Sequence, residues 1–318
     1  MTQAACSLWI WSNLDISHRQ TGAVSGMKEI EDRLKMSDGF GLFYRRWTDG
    51  VREPSRTVIC LHGIESHSGA FRILGEALAQ NGSEVYAFDR RGFGNSKEQD
   101  LPRGDTRAFA RHVHDVNEFV EGVRKNHPGK KTFIFGHSIG CAYALWYASR
   151  NAALLDGIVL AAPPIEVGFK IPARDAIRFP FAQLVRPHSM YDLLDKWPQA
   201  FKESEEFTLL TGDELCTTRF GIRWLLKLQT KLANKMLKNA STIGKPTLII
   251  QGDMDIIALP GGAKSLMDRL VTKDKTLRVF EGADHWFYHA IIPKMSGKYG
   301  PEQRAKVSST VKEWLNSH

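Results

Sequence analysis

The pentapeptide Gly136-His137-Ser138-Ile139-Gly140 places a serine hydroxyl between an apolar run, Thr132-Phe133-Ile134-Phe135, and a helix-forming stretch, Cys141-Ala142-Tyr143-Ala144-Leu145. A strand, a sharp turn and a helix meeting at a serine lift that side chain out of the sheet, where it can attack a carbonyl carbon. The turn strains the serine backbone, and only small residues two positions before and after let strand and helix approach. Gly136 and Gly140 stand at those positions. A serine hydroxyl is a weak nucleophile at neutral pH, so Ser138 needs a histidine base within reach and a carboxylate to orient that base. Candidates for both lie downstream, each just past an apolar run. Gly252-Asp253-Met254-Asp255 follows Leu248-Ile249-Ile250, and Gly282-Ala283-Asp284-His285 follows Val279-Phe280.

The elements that must position these groups follow from the hydrophobic rhythm. Arg33 to Met36 and Leu42 to Trp47 flank Asp38-Gly39, the composition of a hairpin turn, so the domain opens antiparallel. From Thr57 onward short apolar strands alternate with longer helical segments, which predicts a parallel sheet. Strands are expected at 58–61, 85–88, 132–135, 157–161, 247–250 and 277–280, and helices at 70–80, 107–125, 263–270 and 302–315. The interval 164–244 breaks this rhythm. It is rich in proline, aromatic and charged residues with helical periodicity, and it reads as a cap inserted between two core strands. The expected organisation is therefore an N-terminal extension over 1–27 with little order, a core over 28–163 and 245–318, and a helical cap over 164–244.

At these residues the chain resembles the α/β-hydrolase superfamily, in particular its monoacylglycerol lipase and lysophospholipase-like branch. The likeness runs from about Arg33 to the C-terminus. It is strongest at His62-Gly63-Ile64-Glu65-Ser66-His67-Ser68, at Asp89-Arg90-Arg91-Gly92-Phe93-Gly94-Asn95-Ser96, at the Ser138 turn and in the Asp255 and His285 loops. The order serine, aspartate, histidine matches that arrangement and no other serine-hydrolase fold. The resemblance implies a mostly parallel central sheet with helices on both faces. It selects Asp255 over Asp253 as the acid and His285 over His289 as the base, completing a triad with Ser138. It also implies an oxyanion hole built from the backbone amides of Ile139 and Ile64. The sequence departs from the family pattern at Glu65, where a second glycine is usual. The implied reaction is cleavage of carboxylic esters, monoacylglycerol- or lysophospholipid-like, through an acyl-enzyme, with no cofactor and no metal.

Rival readings are weaker. The same triad could act on a lactone, thioester, amide or carbon–carbon bond, and a degenerate hydrolase fold could serve as an interaction module. The module reading sits badly with an intact serine, histidine and pair of turn glycines. Dehalogenation needs a carboxylate where Ser138 stands. His112-Val113-His114-Asp115 looks like part of a metal motif, but Phe109, Val113, Val116, Val120 and Val123 mark it as an amphipathic helix. Gly92 and Gly94 lack the third glycine or the lysine of a phosphate loop.

With 318 residues, 42% hydrophobic and 25% charged, the chain can bury the core of one large α/β domain. The net charge of +8 is spread without a basic block, which argues against nucleic acid as a partner. Four widely spaced cysteines imply no disulfide framework, and Leu8-Trp9-Ile10-Trp11 lacks the basic start and sustained apolar core of a secretory signal. No stretch approaches the roughly 20 apolar residues of a membrane span. A cytoplasmic location is expected. In the insert, Arg223, Lys227, Lys231, Lys235 and Lys238 fall on one face of a helix, and Ile222, Leu225, Leu232, Ala233 and Met236 on the other. The plain expectation is a cap helix with a solvated lysine face; the alternative is weak peripheral contact with an anionic membrane.

Overall fold

In the computed structural model, residues 20–21, 26–287 and 301–318 are described; most of the expected N-terminal extension and His289 lie outside them. The chain opens antiparallel. Strands β1 (Gln20–Thr21), β2 (Lys28–Lys35) and β3 (Gly41–Thr48) pair in sequence, and Gly39 takes the left-handed conformation that the β2–β3 turn requires. Strand β4 (Arg56–Leu61) then enters the centre of the sheet. It is followed by α1 (Arg72–Ala79), β5 (Ser83–Phe88), α2 (Phe109–Asn126), β6 (Lys131–His137), α3 (Gly140–Asn151) and β7 (Gly157–Ala161). The expected core strands and helices are all present, most with ends extended by a few residues.

Between β7 and the next core strand the chain leaves the sheet. It forms α4 (Ala173–Val185), the short strands β8 (Met190–Asp192) and β9 (Arg219–Gly221), and helices α5 (Gln199–Lys202), α6 (Glu205–Gly212), α7 (Ile222–Lys231) and α8 (Met236–Ala240). The core resumes with β10 (Thr247–Gly252), α9 (Pro260–Arg269), β11 (Lys275–Phe280) and α10 (Pro301–Ser317). The nine-stranded sheet has the order β1-β2-β3-β5-β4-β6-β7-β10-β11, and every pair from β5 to β11 is parallel. β4, β5, β7 and β10 are buried along their whole length, as strands covered by helices on both faces must be.

The basic helix expected over 222–238 is interrupted. α7 ends at Lys231, a tight turn spans Ala233–Lys235 and α8 starts at Met236. The break at Leu232 redirects the chain so that Leu232 and Met236 both stay buried, and α8 packs on α3. Tertiary packing overrides a local pattern that would have run straight on. The amphipathic division survives it, with Trp224, Leu225 and Leu228 buried, Lys227 half-buried and Lys231 exposed.

Candidate active site

Ser138 lies at the junction of β6 and α3 with φ of 51°, the left-handed region that a serine enters only under constraint. Its N–H donates to the Ala161 carbonyl at 2.8 Å, which ties the turn to β7. The flanking glycines are dictated by close approach. A Cβ on Gly136 would stand 2.6 Å from the Gly140 carbonyl oxygen, and one on Gly140 would stand 2.0 Å from that of Leu61. Both distances are below van der Waals contact, so no side chain fits there.

Asp255 follows the end of β10 and is buried. Its Oδ1 accepts from the amides of Ile257 at 2.9 Å and Ala258 at 2.7 Å. Its Oδ2 accepts from Gln251 Nε2 at 3.1 Å and from His285 Nδ1 at 2.8 Å. The carboxylate thus fixes the proton on Nδ1 and leaves Nε2 with the lone pair a base needs. The neighbouring Asp253 is exposed and accepts from the Gly282 amide at 2.7 Å, joining the two loops without touching the imidazole. His285 is buried, and its carbonyl accepts from His137 Nε2 at 2.9 Å. The two imidazole centroids lie 4.9 Å apart, so the residue before Ser138 in the turn packs directly on His285. Burial disfavours the charged imidazole, but the charge and hydrogen bond of Asp255, with Glu65 and Asp284 farther out, outweigh it and raise the His285 pKa above its ordinary value.

Ser138, Ile64 and Ile139 line one cavity of about 400 Å³, a size typical of small-ligand sites. Its remaining walls are almost wholly apolar, with Val167, Phe169, Phe179 and Trp197 among them, and none of its described lining residues is charged. Most of these residues come from the interval between β7 and β10. Among the described residues neither the Ile64 nor the Ile139 amide donates to another protein group. The Ile139 amide also sits where α3 begins, so the helix dipole adds to its pull on an anion.

Glu65, the departure from the usual glycine, is buried beside this constellation. Its Oε1 accepts from Trp286 Nε1 at 2.9 Å, and its backbone carbonyl accepts from the Thr217 amide at 2.9 Å. Sequence reasoning marked Glu65 only as an irregularity and did not find Trp286. Their separation of 221 positions leaves no local signal. A pH test follows. With His285 as the base, kcat/KM for an ester falls as pH drops through the raised imidazole pKa. Glu65→Gln keeps an acceptor for Trp286 but removes a negative charge, so the acid limb of the profile is expected to move to lower pH. An unmoved limb would show that the Glu65 charge does not reach the imidazole.

His112 is buried, with Nδ1 3.2 Å from the Tyr143 hydroxyl, and Asp115 pairs with Arg91 Nε at 3.0 Å. The pair serves packing in α2. Donor atoms of His67, Asp213 and Cys216 lie within 4.8 Å of one another. The Gly69 amide donates to His67 Nδ1 at 3.1 Å, which puts the proton on Nε2, facing Asp213 Oδ2 at 3.1 Å. In that tautomer the imidazole turns a donor, not a lone pair, toward the cluster. The Asp89 loop is a tight turn as expected. Its carboxylate accepts from the Ser68 amide at 2.6 Å and the Asn95 amide at 2.7 Å.

Human monoglyceride lipase is 28% identical over 270 residues, 83% of this chain and 85% of that protein. The monoacylglycerol lipase of Mycolicibacterium smegmatis is 25% identical over 288 residues, 88% of this chain and 94% of that one. Among solved structures, the monoacylglycerol lipase of Paleococcus ferrophilus superposes with a TM-score of 0.71 at 26% identity, covering 87% of this chain and 99% of its own. Residues 52–290 match the family described as Hydrolase_4, serine aminopeptidase S33. With its mostly parallel sheet and a match over most of its length, the chain belongs to this family of α/β-hydrolases.

Proposed function

We propose that this carboxylic ester hydrolase cleaves monoacylglycerol- or lysophospholipid-like acyl esters through an acyl-enzyme formed on Ser138. The observation that carries the reading is the apolar cavity that has Ser138, Ile64 and Ile139 in its wall. An acyl chain occupies the apolar space, and the ester carbonyl meets the hydroxyl. His285 Nε2 takes the proton of the Ser138 hydroxyl as its Oγ bonds to the carbonyl carbon. The two amides hold the resulting oxyanion, and the imidazolium gives the proton to the departing alcohol. Water then repeats the sequence and releases the fatty acid and the free serine. Asp255 holds the imidazole throughout. In this reading residues 164–244 form the cap, and chain-length preference resides in its wall residues.

The family description raises peptide cleavage as a second reading. An aminopeptidase must hold the substrate's ammonium group, and the described lining residues of this cavity include no carboxylate. Esters of apolar acids are favoured.

The cap also supports peripheral contact with a lipid surface. On α4, Ile177, Phe181 and Leu184 are 77%, 71% and 79% exposed, beside Arg174, Arg178 and Arg186. No helix among the described residues is long and apolar enough to cross a membrane. One experiment covers both points. Monoacyl esters of increasing chain length are presented in neutral and in anionic vesicles. Medium and long chains should be preferred to acetyl, and anionic vesicles should bind the protein more tightly, with the advantage shrinking as salt rises. Preference for acetyl would overturn the lipid reading, and equal binding to both vesicles would overturn the contact.

A further inference from the structure

Arg90 is a buried cation for which the triad has no use. It is 2% exposed, and among the described residues no carboxylate lies within salt-bridge distance of its guanidinium. An unpaired charge in a protein interior is costly to hold, so its contacts should reveal what holds it. They are unusual. Nη1 donates to the carbonyl of His62 and Nη2 to the carbonyl of Gly63 at 2.7 Å. The guanidinium carbon lies 4.9 Å from the Phe93 ring centroid and 5.3 Å from that of Tyr143. Burial pulls its pKa down to about 10, against the nearby Tyr143, Glu65 and Asp89, which leaves it charged at neutral pH.

The Gly63 carbonyl receives a second donor. The Arg90 amide donates to His62 Nε2 at 3.0 Å, so the His62 proton sits on Nδ1, which donates to the Gly63 oxygen at 2.9 Å. Burial, with the Arg90 charge behind it, holds the His62 pKa well below its ordinary value, and the ring is neutral. Two donors, one of them a cation, therefore converge on a single carbonyl.

That carbonyl belongs to the same peptide unit as the Ile64 N–H. No cis peptide occurs among the described residues, and in a trans peptide the N–H points away from the C=O. Holding the Gly63 oxygen toward Arg90 turns the Ile64 N–H the other way, and among the described residues that amide has no partner. A hydrogen bond to the carbonyl end of an amide also polarises it, which strengthens the N–H as a donor.

We propose that Arg90 is a positioning residue for the oxyanion hole: it locks and polarises the Gly63–Ile64 peptide so that the Ile64 amide binds the tetrahedral oxyanion more strongly than the ground-state carbonyl. This rests on the hydrolase reading above. A purely structural arginine would support ground state and transition state alike. A positioning arginine favours the transition state and so shows in kcat.

The test uses the full chain with Arg90→Met and Arg90→Lys, a p-nitrophenyl ester, and a trifluoromethyl ketone whose hemiketal mimics the tetrahedral oxyanion. For folded Arg90→Met, kcat should fall about 10- to 100-fold with KM changed less than about threefold, and ketone affinity should fall by a similar factor as kcat. Arg90→Lys restores the charge but cannot grip both carbonyls, and should recover part of both losses. A folded Arg90→Met with kcat and ketone affinity within about twofold of the native enzyme overturns the proposal, as does a kcat loss with unchanged ketone affinity. If Arg90→Met does not fold, Arg90→Lys decides alone: both quantities must drop by at least about threefold, and values within about twofold overturn the proposal. Native protein that turns over no ester overturns the hydrolase reading and this proposal together, whereas unaffected Arg90 variants overturn this proposal alone.

Discussion

Ser138→Ala is expected to lower kcat for a short chromogenic ester by about 10⁴- to 10⁶-fold and to abolish labelling by a fluorophosphonate probe. In the proposed mechanism the hydroxyl supplies the protein's one atom that bonds to the acyl carbon, and the remaining amides and cavity can bind substrate but cannot be acylated. Folding should be untouched. Among the described residues the backbone amide of Ser138, not its side chain, ties the turn to β7, so the thermal midpoint should stay within the shift expected for about 1 kcal/mol. Turnover retained by purified Ser138→Ala would remove Ser138 from the mechanism.

Asp255→Asn is expected to cost about 10⁴-fold in kcat, although it alters a single atom. The reason lies in the two backbone donors. Ile257 and Ala258 both point N–H groups at Oδ1, so an asparagine must place its carbonyl oxygen there. Its NH2 group then faces His285 Nδ1, which must accept. The imidazole proton moves to Nε2 and points toward the serine, leaving no lone pair to act as base. Gln251 Nε2 also donates to the carbonyls of Gly252 and Ala258 at 3.1 Å, so it stays anchored when it gives up position 255, and the protein should remain folded. A variant within about tenfold of native activity would refute the orienting role.

The core was legible because its signals are local. A fully buried parallel strand must be an apolar run, and a helix that covers it must show the 3.6-residue period, so β4 to β7 and β10 could be read from short windows. The serine turn was equally readable, since the two glycines answer to contacts made within a few residues or with the adjacent strand. Choosing Asp255 over Asp253 was not possible from spacing, as both follow the same strand. What separates them in the structure is burial and four donors converging on Asp255, against one amide bonded to an exposed Asp253. The break at Leu232 was invisible for the opposite reason. Nothing in its own segment interrupts a helix; packing on a distant element does. Arg90 was seen only as part of a glycine-containing loop, because its meaning depends on two carbonyls 27 and 28 positions earlier.

Trp286 stacks on Phe201 with ring centroids 4.5 Å apart and lies 5.9 Å from Trp197, which itself lines the cavity. The residue after His285 is thus clasped by the segment that walls the cavity beside Ser138. Exchanging that segment between relatives to retune selectivity would not be a neutral graft, because the donor piece would also have to reproduce this aromatic clasp. Chimeras lacking partners for Trp286 should be slow on every substrate, and restoring the two aromatic side chains is the first repair to make.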